Sequence, residues 1–158
     1  MTCREGAELE VMVVDNGSRD GSAELVRTHH PEVQLLALRA NVGFGRANRL
    51  AVSRCRGEFV AFLNSDTEVT AGWLAALLRA LQQDPAIGAA CSTLRLIDHP
   101  GLVNARGGAM TWLGHGFDRD FMFPAGDRGL EPEPPLHDVL FPTAAAMLMR
   151  TRVFAHAR

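Results

Sequence analysis

Three short polar clusters hold the residues of this chain that could do chemistry. They are Asp15-Asn16-Gly17-Ser18, Asn41-Val42-Gly43-Phe44-Gly45-Arg46-Ala47-Asn48 and Asn64-Ser65-Asp66. Each follows an apolar run of strand length, and the third abruptly ends Phe59-Val60-Ala61-Phe62-Leu63. In an open α/β sheet, ligands collect outside the carboxyl ends of the strands, so a parallel sheet would bring all three clusters to one rim. One carboxylate there suits a divalent cation shared with phosphate oxygens, because Mg²⁺ usually keeps only one or two protein carboxylates. Asp66 is the candidate for that ligand, and Asp15 for an acceptor of hydrogen bonds from a base or ribose. Gly17, Gly43 and Gly45 would let the backbone approach a ligand closely. A helix that starts after them would offer free N–H groups to a phosphate. Plainer readings stand beside these: Asp66 and Thr67 close a turn, and each glycine serves a tight bend.

The elements that must position these clusters follow from periodicity. Residues 9–14 predict a first strand, and Asp20 or Gly21 caps a helix with Glu24 in its first turn, stopped by Pro31. Residues 33–38 predict a second strand. A second helix follows, with Leu50, Ala51 and Arg54 on one face and Gly57 at C′. The run from Phe59 to Leu63 reads as a strand buried on both faces. Thr70 then caps the clearest helix, where Trp73, Leu74, Leu77, Leu78 and Leu81 form one stripe and Pro85 lies beyond the end. Residues 87–91 predict a fourth strand and 94–97 a candidate fifth. Residues 99–135, rich in Gly, Pro and Asp and including Pro132, Pro134 and Pro135, predict a long, mostly irregular excursion. Residues 144–149 are a final apolar segment. The order strand–helix–strand–helix–strand–helix predicts parallel βαβ units with right-handed crossovers.

Composition narrows the class. A chain of 158 residues is one domain's worth, or part of a larger protein, and its 47% hydrophobic and 22% charged residues are ordinary for a globular chain. A net charge of −2 gives no electrostatic case for nucleic acid or an anionic membrane. All 16 basic residues are Arg, which reads as GC-rich coding and also suits bidentate phosphate contacts. Cys3, Cys55 and Cys91 are far apart, so neither a zinc site nor a disulfide framework is implied. No apolar run approaches the roughly 18 residues of a membrane span. With no signal peptide visible, the expected location is the cytoplasm, including peripheral binding at the inner face of the membrane.

Other patterns carry less. Gly43-Phe44-Gly45 after a strand, with Asp66 about twenty residues on, is most of a dinucleotide-binding fingerprint. It fails at Asn48, where Gly or Ala would allow close helix–strand packing, and it leaves Asp15 to Ser22 unexplained. The six His residues lack metal-ligand spacing. His29-His30 suits an exposed helix C-terminus, and His115, Asp118 and Asp120 read as a solvated loop. No serine sits in a nucleophile elbow.

Together these residues resemble the inverting family 2 glycosyltransferases, and within them the bacterial rhamnosyltransferase-like branch. The resemblance is carried by Val14-Asp15-Asn16-Gly17-Ser18-Arg19-Asp20-Gly21-Ser22, by residues 41–48, and by Phe62-Leu63-Asn64-Ser65-Asp66-Thr67-Glu68-Val69 with Gly72-Trp73-Leu74. Weaker echoes are Gly107-Gly108, residues 145–150, and Val153-Phe154. It implies a GT-A-like, Rossmann-like α/β fold with a mostly parallel sheet, incomplete here. Asp15 would contact the base, and Asn16, Gly17, Ser18, Asn41, Gly43, Asn48 and Asn64 would line the nucleotide-sugar site. Asn64-Ser65-Asp66 would be the DxD-like motif, its first acid replaced by Asn, with Mg²⁺ or Mn²⁺ on Asp66. The implied donor is a dTDP-, UDP- or GDP-sugar, the acceptor a glycan or lipid-linked hydroxyl, and the setting cell-surface polysaccharide synthesis.

The same resemblance implies a further strand before Leu9, inside the sheet, and an acidic general-base motif after Phe154, neither of which these residues contain. The expectation is therefore a patternless stretch at 1–8 and a partial domain at 9–158. Within it, residues 9–98 would bind the nucleotide sugar, 99–137 form the excursion and 138–158 the C-terminal segment. Such a piece would be inactive alone and prone to self-association through unpaired strand edges. The alternatives are a non-catalytic nucleotide-binding remnant and the nicotinamide-cofactor oxidoreductase suggested by Gly43 and Gly45.

Overall fold

Two short hydrophobic runs with a helix between them fold as a parallel pair, because antiparallel strands need only a tight turn whereas parallel ones need a crossover. The computed structural model describes residues 8–126 and 136–156, and the chain divides into two units, residues 1–58 and 59–158. In the first, β1 (Met12–Asp15) pairs in parallel with β2 (Gln34–Ala37), from Met12 opposite Gln34 to Asp15 opposite Ala37. The crossover is α1 (Ser22–His29), which starts after Gly21 at φ 90°. Asp20 Oδ1 accepts from Ser22 Oγ at 2.6 Å and from Ser22 N at 3.0 Å, and the Ser22 hydroxyl holds that carboxyl below its ordinary pKa. His29 and His30 are exposed at the helix end, as expected.

The second helix of this unit, α2 (Phe44–Val52), buries Ala47, Ala51 and Val52 and packs on β1. Ala47 and Ala51, four apart, share a face. The helix ends at Ser53, so Gly57 is not its C′ residue. Glu10 ties three segments together: Oε2 accepts from Gln34 Nε2 at 3.1 Å, Oε1 from Arg56 N at 3.1 Å, and Arg56 Nη2 stands 3.3 Å away.

The second unit differs from the parallel sheet that the element order predicts. β3 (Phe59–Leu63) and β4 (Ala89–Cys91) flank β9 (Ala146–Arg150) in the order β3-β9-β4, and β9 is antiparallel to both. β3 and β4 therefore run in the same direction, joined by α3 (Trp73–Gln83), but a returning strand separates them. The strand buried on both faces is β9, where Ala146, Met147 and Leu148 are consecutively buried. β3 is not: Phe62 is buried while Leu63 is 46% exposed. A strand held between two neighbours is covered as a terminal strand is not.

The stripe on α3 forms as predicted. Leu77 and Leu81 join Leu148 in the core, with Phe59, Trp73, Leu74, Leu78, Ile87 and Ala90 against them. The helix is not capped by Thr70; its N-cap is Gly72 at φ 78°, and the Thr70 carbonyl accepts from Trp73 N. At its other end Arg150, 9% exposed, donates from Nη2 to Leu81 O at 2.6 Å and from Nε to Ile87 O at 3.2 Å. α4 (Thr151–His156) follows β9 directly, and Phe154 packs against Phe62 with ring centroids 5.5 Å apart.

The excursion expected to be irregular is built of short ribbons. β5 (Leu94–Arg95) pairs antiparallel with β6 (Val103–Ala105), and β7 (Gly108–Met110) with β8 (Gly116–Asp118). Val103, Ala105 and Ala125 are nearly inaccessible. Arg106 donates to Ala125 O at 2.7 Å and meets Asp120 at 3.4 Å, so Asp120 is paired rather than free in a loop. Strands of two or three residues are too short to show a period of two. Residues 1–7 with Cys3, and 127–135 with Pro132, Pro134 and Pro135, lie outside the described residues.

Candidate functional site

The first two polar clusters meet at the carboxyl ends of β1 and β2. Asp15 is the last residue of β1 and is 8% exposed. Its Oδ1 accepts from Ser18 N at 3.2 Å, and its carbonyl accepts from Leu38 N at 2.8 Å. The next residue clasps the two loops together. Asn16 Oδ1 accepts from Val42 N at 2.9 Å, and Asn16 Nδ2 donates to Asn41 Oδ1 at 3.1 Å. Asn41 Oδ1 also accepts from Gly43 N at 2.9 Å. Gly17, at φ 84°, lies so close to the other loop that a Cβ there would stand 2.6 Å from the Ala40 carbonyl carbon. Its small size serves contact between two loops of the protein, while around Gly43 the space is open.

The clasp fixes the start of α2. Gly43 is its N-cap, with no side-chain cap and no acidic residue in the first turn, and the start of a helix carries N–H groups that lack intrahelical acceptors. Asn48 lies within α2 rather than before it, and its Nδ2 donates to Phe44 O at 3.1 Å.

Asn64, Ser65 and Asp66 belong to the second unit. There Thr67 N donates to Asn64 O at 3.2 Å, so the triplet forms a tight turn, as the plainer reading has it. That turn leaves Asp66 exposed, with no hydrogen-bond or ion-pair partner among the described residues. The turn is anchored by a segment whose role the sequence did not reveal. Asn64 N donates to Ala145 O at 2.9 Å and Ser92 N to Ala146 O at 3.0 Å, so the ends of β3 and β4 converge on the start of β9. Trp73 Nε1 donates to Ser92 Oγ at 2.7 Å, adding the start of α3. The signal was present as an unbroken apolar run closed by Arg150, but such a run fits a buried helix as well as a strand.

Among the described residues, no group of three or more His, Cys, Asp or Glu could cage a metal. Asp66 fits a divalent ion only as a single carboxylate sharing that ion with ligand oxygens, which is a usual mode for Mg²⁺. Burial, with Glu10 adding its charge, pushes the Cys55 thiol up, away from thiolate chemistry. Among the described residues, no helix is long and apolar enough to cross a membrane.

The family model described as "Glycosyl transferase family 2" matches residues 3–154. Similar proteins include a "Chondroitin synthase" of Escherichia coli, 30% identical over 63% of this chain and 15% of that protein. An "N-acetylglucosaminyltransferase" of Rhizobium sp. (strain N33) is 32% identical over 72% of this chain and 24% of its own length. The "Succinoglycan biosynthesis protein ExoO" of Rhizobium meliloti (strain 1021) is 40% identical over 42% of this chain and 19% of its own. The chain thus spans less than a third of each of these relatives. The family's domain implies the GT-A nucleotide-sugar transferase fold, which the α/β order of this chain matches in class. With its family model matched across almost all of its residues, this chain belongs to glycosyl transferase family 2.

Proposed function

We propose that this chain carries the donor-binding part of a glycosyltransferase acting in polysaccharide synthesis. A sugar passes, with inversion, from a nucleoside-diphosphate sugar to an acceptor hydroxyl on a glycan or a lipid-linked carrier. The observation that carries this reading is the Asn16–Asn41 clasp. It joins the carboxylate at the end of β1 to the uncapped start of α2, so that one rim offers an acceptor for a base and N–H donors for a phosphate. Asp15 has one oxygen on Ser18 N and presents the other to the base. Gly43 leaves open space for the diphosphate. Asn16 and Asn41 act by holding the two loops, and Gly17 by letting them touch.

Asp66, exposed on its turn, would hold Mg²⁺ or Mn²⁺, with Asn64 beside it as a neutral ligand. When bound, that ion offsets the charge growing on the departing nucleoside diphosphate. We assign the general base to no residue of this chain. The rhamnosyltransferase-like branch rests on motif wording alone, and dTDP-, UDP- and GDP-sugars all remain candidate donors. The family match favours a sugar nucleotide over a nicotinamide cofactor. Self-association is a further expectation, since among the described residues of the second unit β3 and β4 each pair only with β9.

The test is a calorimetric titration of Mn²⁺ with each nucleoside diphosphate present. Asp66 brings the only formal charge of the triplet, and a hard cation prefers carboxylate oxygen. Asp66→Ala should abolish the metal dependence of nucleotide binding and Asn64→Ala should only weaken it. Equal losses would contradict the assignment.

A further inference from the structure

We propose that the β7–β8 hairpin is a docking tip for the interfacial region of a lipid bilayer. It presents Trp112 at 92% exposure, Leu113 at 61%, Met110 at 51% and Phe117 at 49%. Exposed apolar groups packed so densely into one hairpin mark an interaction surface.

Three features select lipid over other partners. Residues 109–117 contain no Asp, Glu, Lys or Arg, so the tip can leave water without burying a permanent charge. Three of its backbone N–H groups are bonded within the turn: Thr111 N donates to His115 O at 2.8 Å, Gly114 N to Thr111 O at 2.9 Å, and His115 N to Thr111 Oγ1 at 3.1 Å. A turn closed in this way keeps its backbone hydrogen bonds in a medium that offers none. Finally, Trp112 stands next to Leu113 at the turn, an amphipathic ring beside an aliphatic side chain, which suits the boundary between headgroups and acyl chains.

The hairpin is also rigidly rooted. Gly108 N donates to Phe141 O at 2.8 Å and Leu140 N to Gly108 O at 3.1 Å, and the Phe141 ring fills the notch left by Gly108 and Gly116. A stiff hairpin loses little entropy when it docks. The tip would enter to a depth of about 5–10 Å, as amphipathic interfacial elements do. This surface stands independently of the sugar-transfer reading.

The test uses the whole chain and vesicles of pure phosphatidylcholine, followed by sedimentation at low and high salt. Binding should occur on these neutral vesicles and survive high salt. Brominated phosphatidylcholine should quench Trp112, while Trp73, half-buried and bonded to Ser92, keeps its emission. The double variant Trp112→Ser/Leu113→Ser should partition about tenfold or more weakly, from the apolar area it removes, with an unchanged far-ultraviolet spectrum. Trp112→Phe should retain most of the binding. The proposal is overturned if the wild type stays in the supernatant, if high salt releases it, or if the double variant binds equally. It is likewise overturned if a soluble polysaccharide or a protein shields Trp112 where vesicles do not. Should the double variant misfold, quenching in the wild type decides the matter, and its absence overturns the proposal.

Discussion

The same substitution at Asn16 and at Asn41 should move stability in opposite directions. Asn41 Oδ1 accepts twice, from Asn16 Nδ2 at 3.1 Å and from Gly43 N at 2.9 Å. A carboxylate accepts as well, so Asn41→Asp keeps both bonds and makes them charge-assisted. It also sets a negative charge at the start of α2, favourable by about 0.3–1 kcal/mol at an exposed site. Asn16 both accepts, from Val42 N at 2.9 Å, and donates. Asn16→Asp keeps the first role and turns the second into oxygen facing oxygen. Rotating the Asn41 amide to supply a donor would cost its bond to Gly43. One bond is lost either way, worth about 0.5–1.5 kcal/mol net, beside a new repulsion from Asp15. Asn16→Asp should therefore destabilise the first unit by about 1–2 kcal/mol, and Asn41→Asp should stabilise it slightly. Urea unfolding followed by far-ultraviolet dichroism measures the sign, and amide hydrogen exchange at Val42 and Gly43 reads the two bonds directly. Asn41→Asp should also weaken nucleoside diphosphate binding by repelling phosphate, even as stability rises. Both aspartates shifting stability the same way would refute the donor and acceptor roles assigned to the clasp.

Three further outcomes concern the frame. Arg150→Met should destabilise the second unit by about 2–4 kcal/mol, because the Leu81 and Ile87 carbonyls each lose a donor; denaturation followed by Trp73 fluorescence checks it. Gly108→Ala places a Cβ inside the Phe141 ring and should cost about 1–3 kcal/mol as overpacking. Phe141→Leu should recover part of that loss in a double-mutant cycle, and additive losses would argue against the contact. Arg56 N–H, with the Gln34 amide, holds the Glu10 carboxyl below its ordinary value. The stability it lends is thus present above the unfolded-state value and is lost as pH falls through the folded one. Glu10→Gln should flatten the acid limb of the first unit's stability–pH curve, and an unchanged slope would contradict this.

How legible each element was depended on its length and on whether its partners were local. α3 was legible because eleven residues carry three turns of one apolar stripe, and only its cap was misplaced, at Thr70 instead of Gly72. β1, α1 and β2 were legible because a parallel pair needs just such a crossover. β9 escaped notice because its apolar run fits two structures, and its place was settled by β3 and β4, more than fifty residues earlier. The ribbons of the excursion escaped for a different reason. They are held by Arg106, by the Phe141 ring and by the small residues beneath them, which no local pattern announces.

The site divides along the same line. By itself the sequence determined residue types and order: an acid or amide after each early strand, glycines beside it, and enough motif to place the chain in its family. These are chemical facts about neighbours in the chain, and folding does not alter them. Tertiary structure decided what each group has left to offer. Asn16 and Asn41 read as ligand contacts, and the fold bonds their side chains to each other and to Val42 and Gly43. Gly17 read as an approach for ligand, and the fold sets the Ala40 backbone against it. Asp66 keeps the freedom its type suggested, because a tight turn fixes its backbone and leaves its carboxylate exposed. A hydrogen-bonding group can serve a ligand only with the donors and lone pairs that the fold has not already used, and that remainder is set by partners distant in sequence.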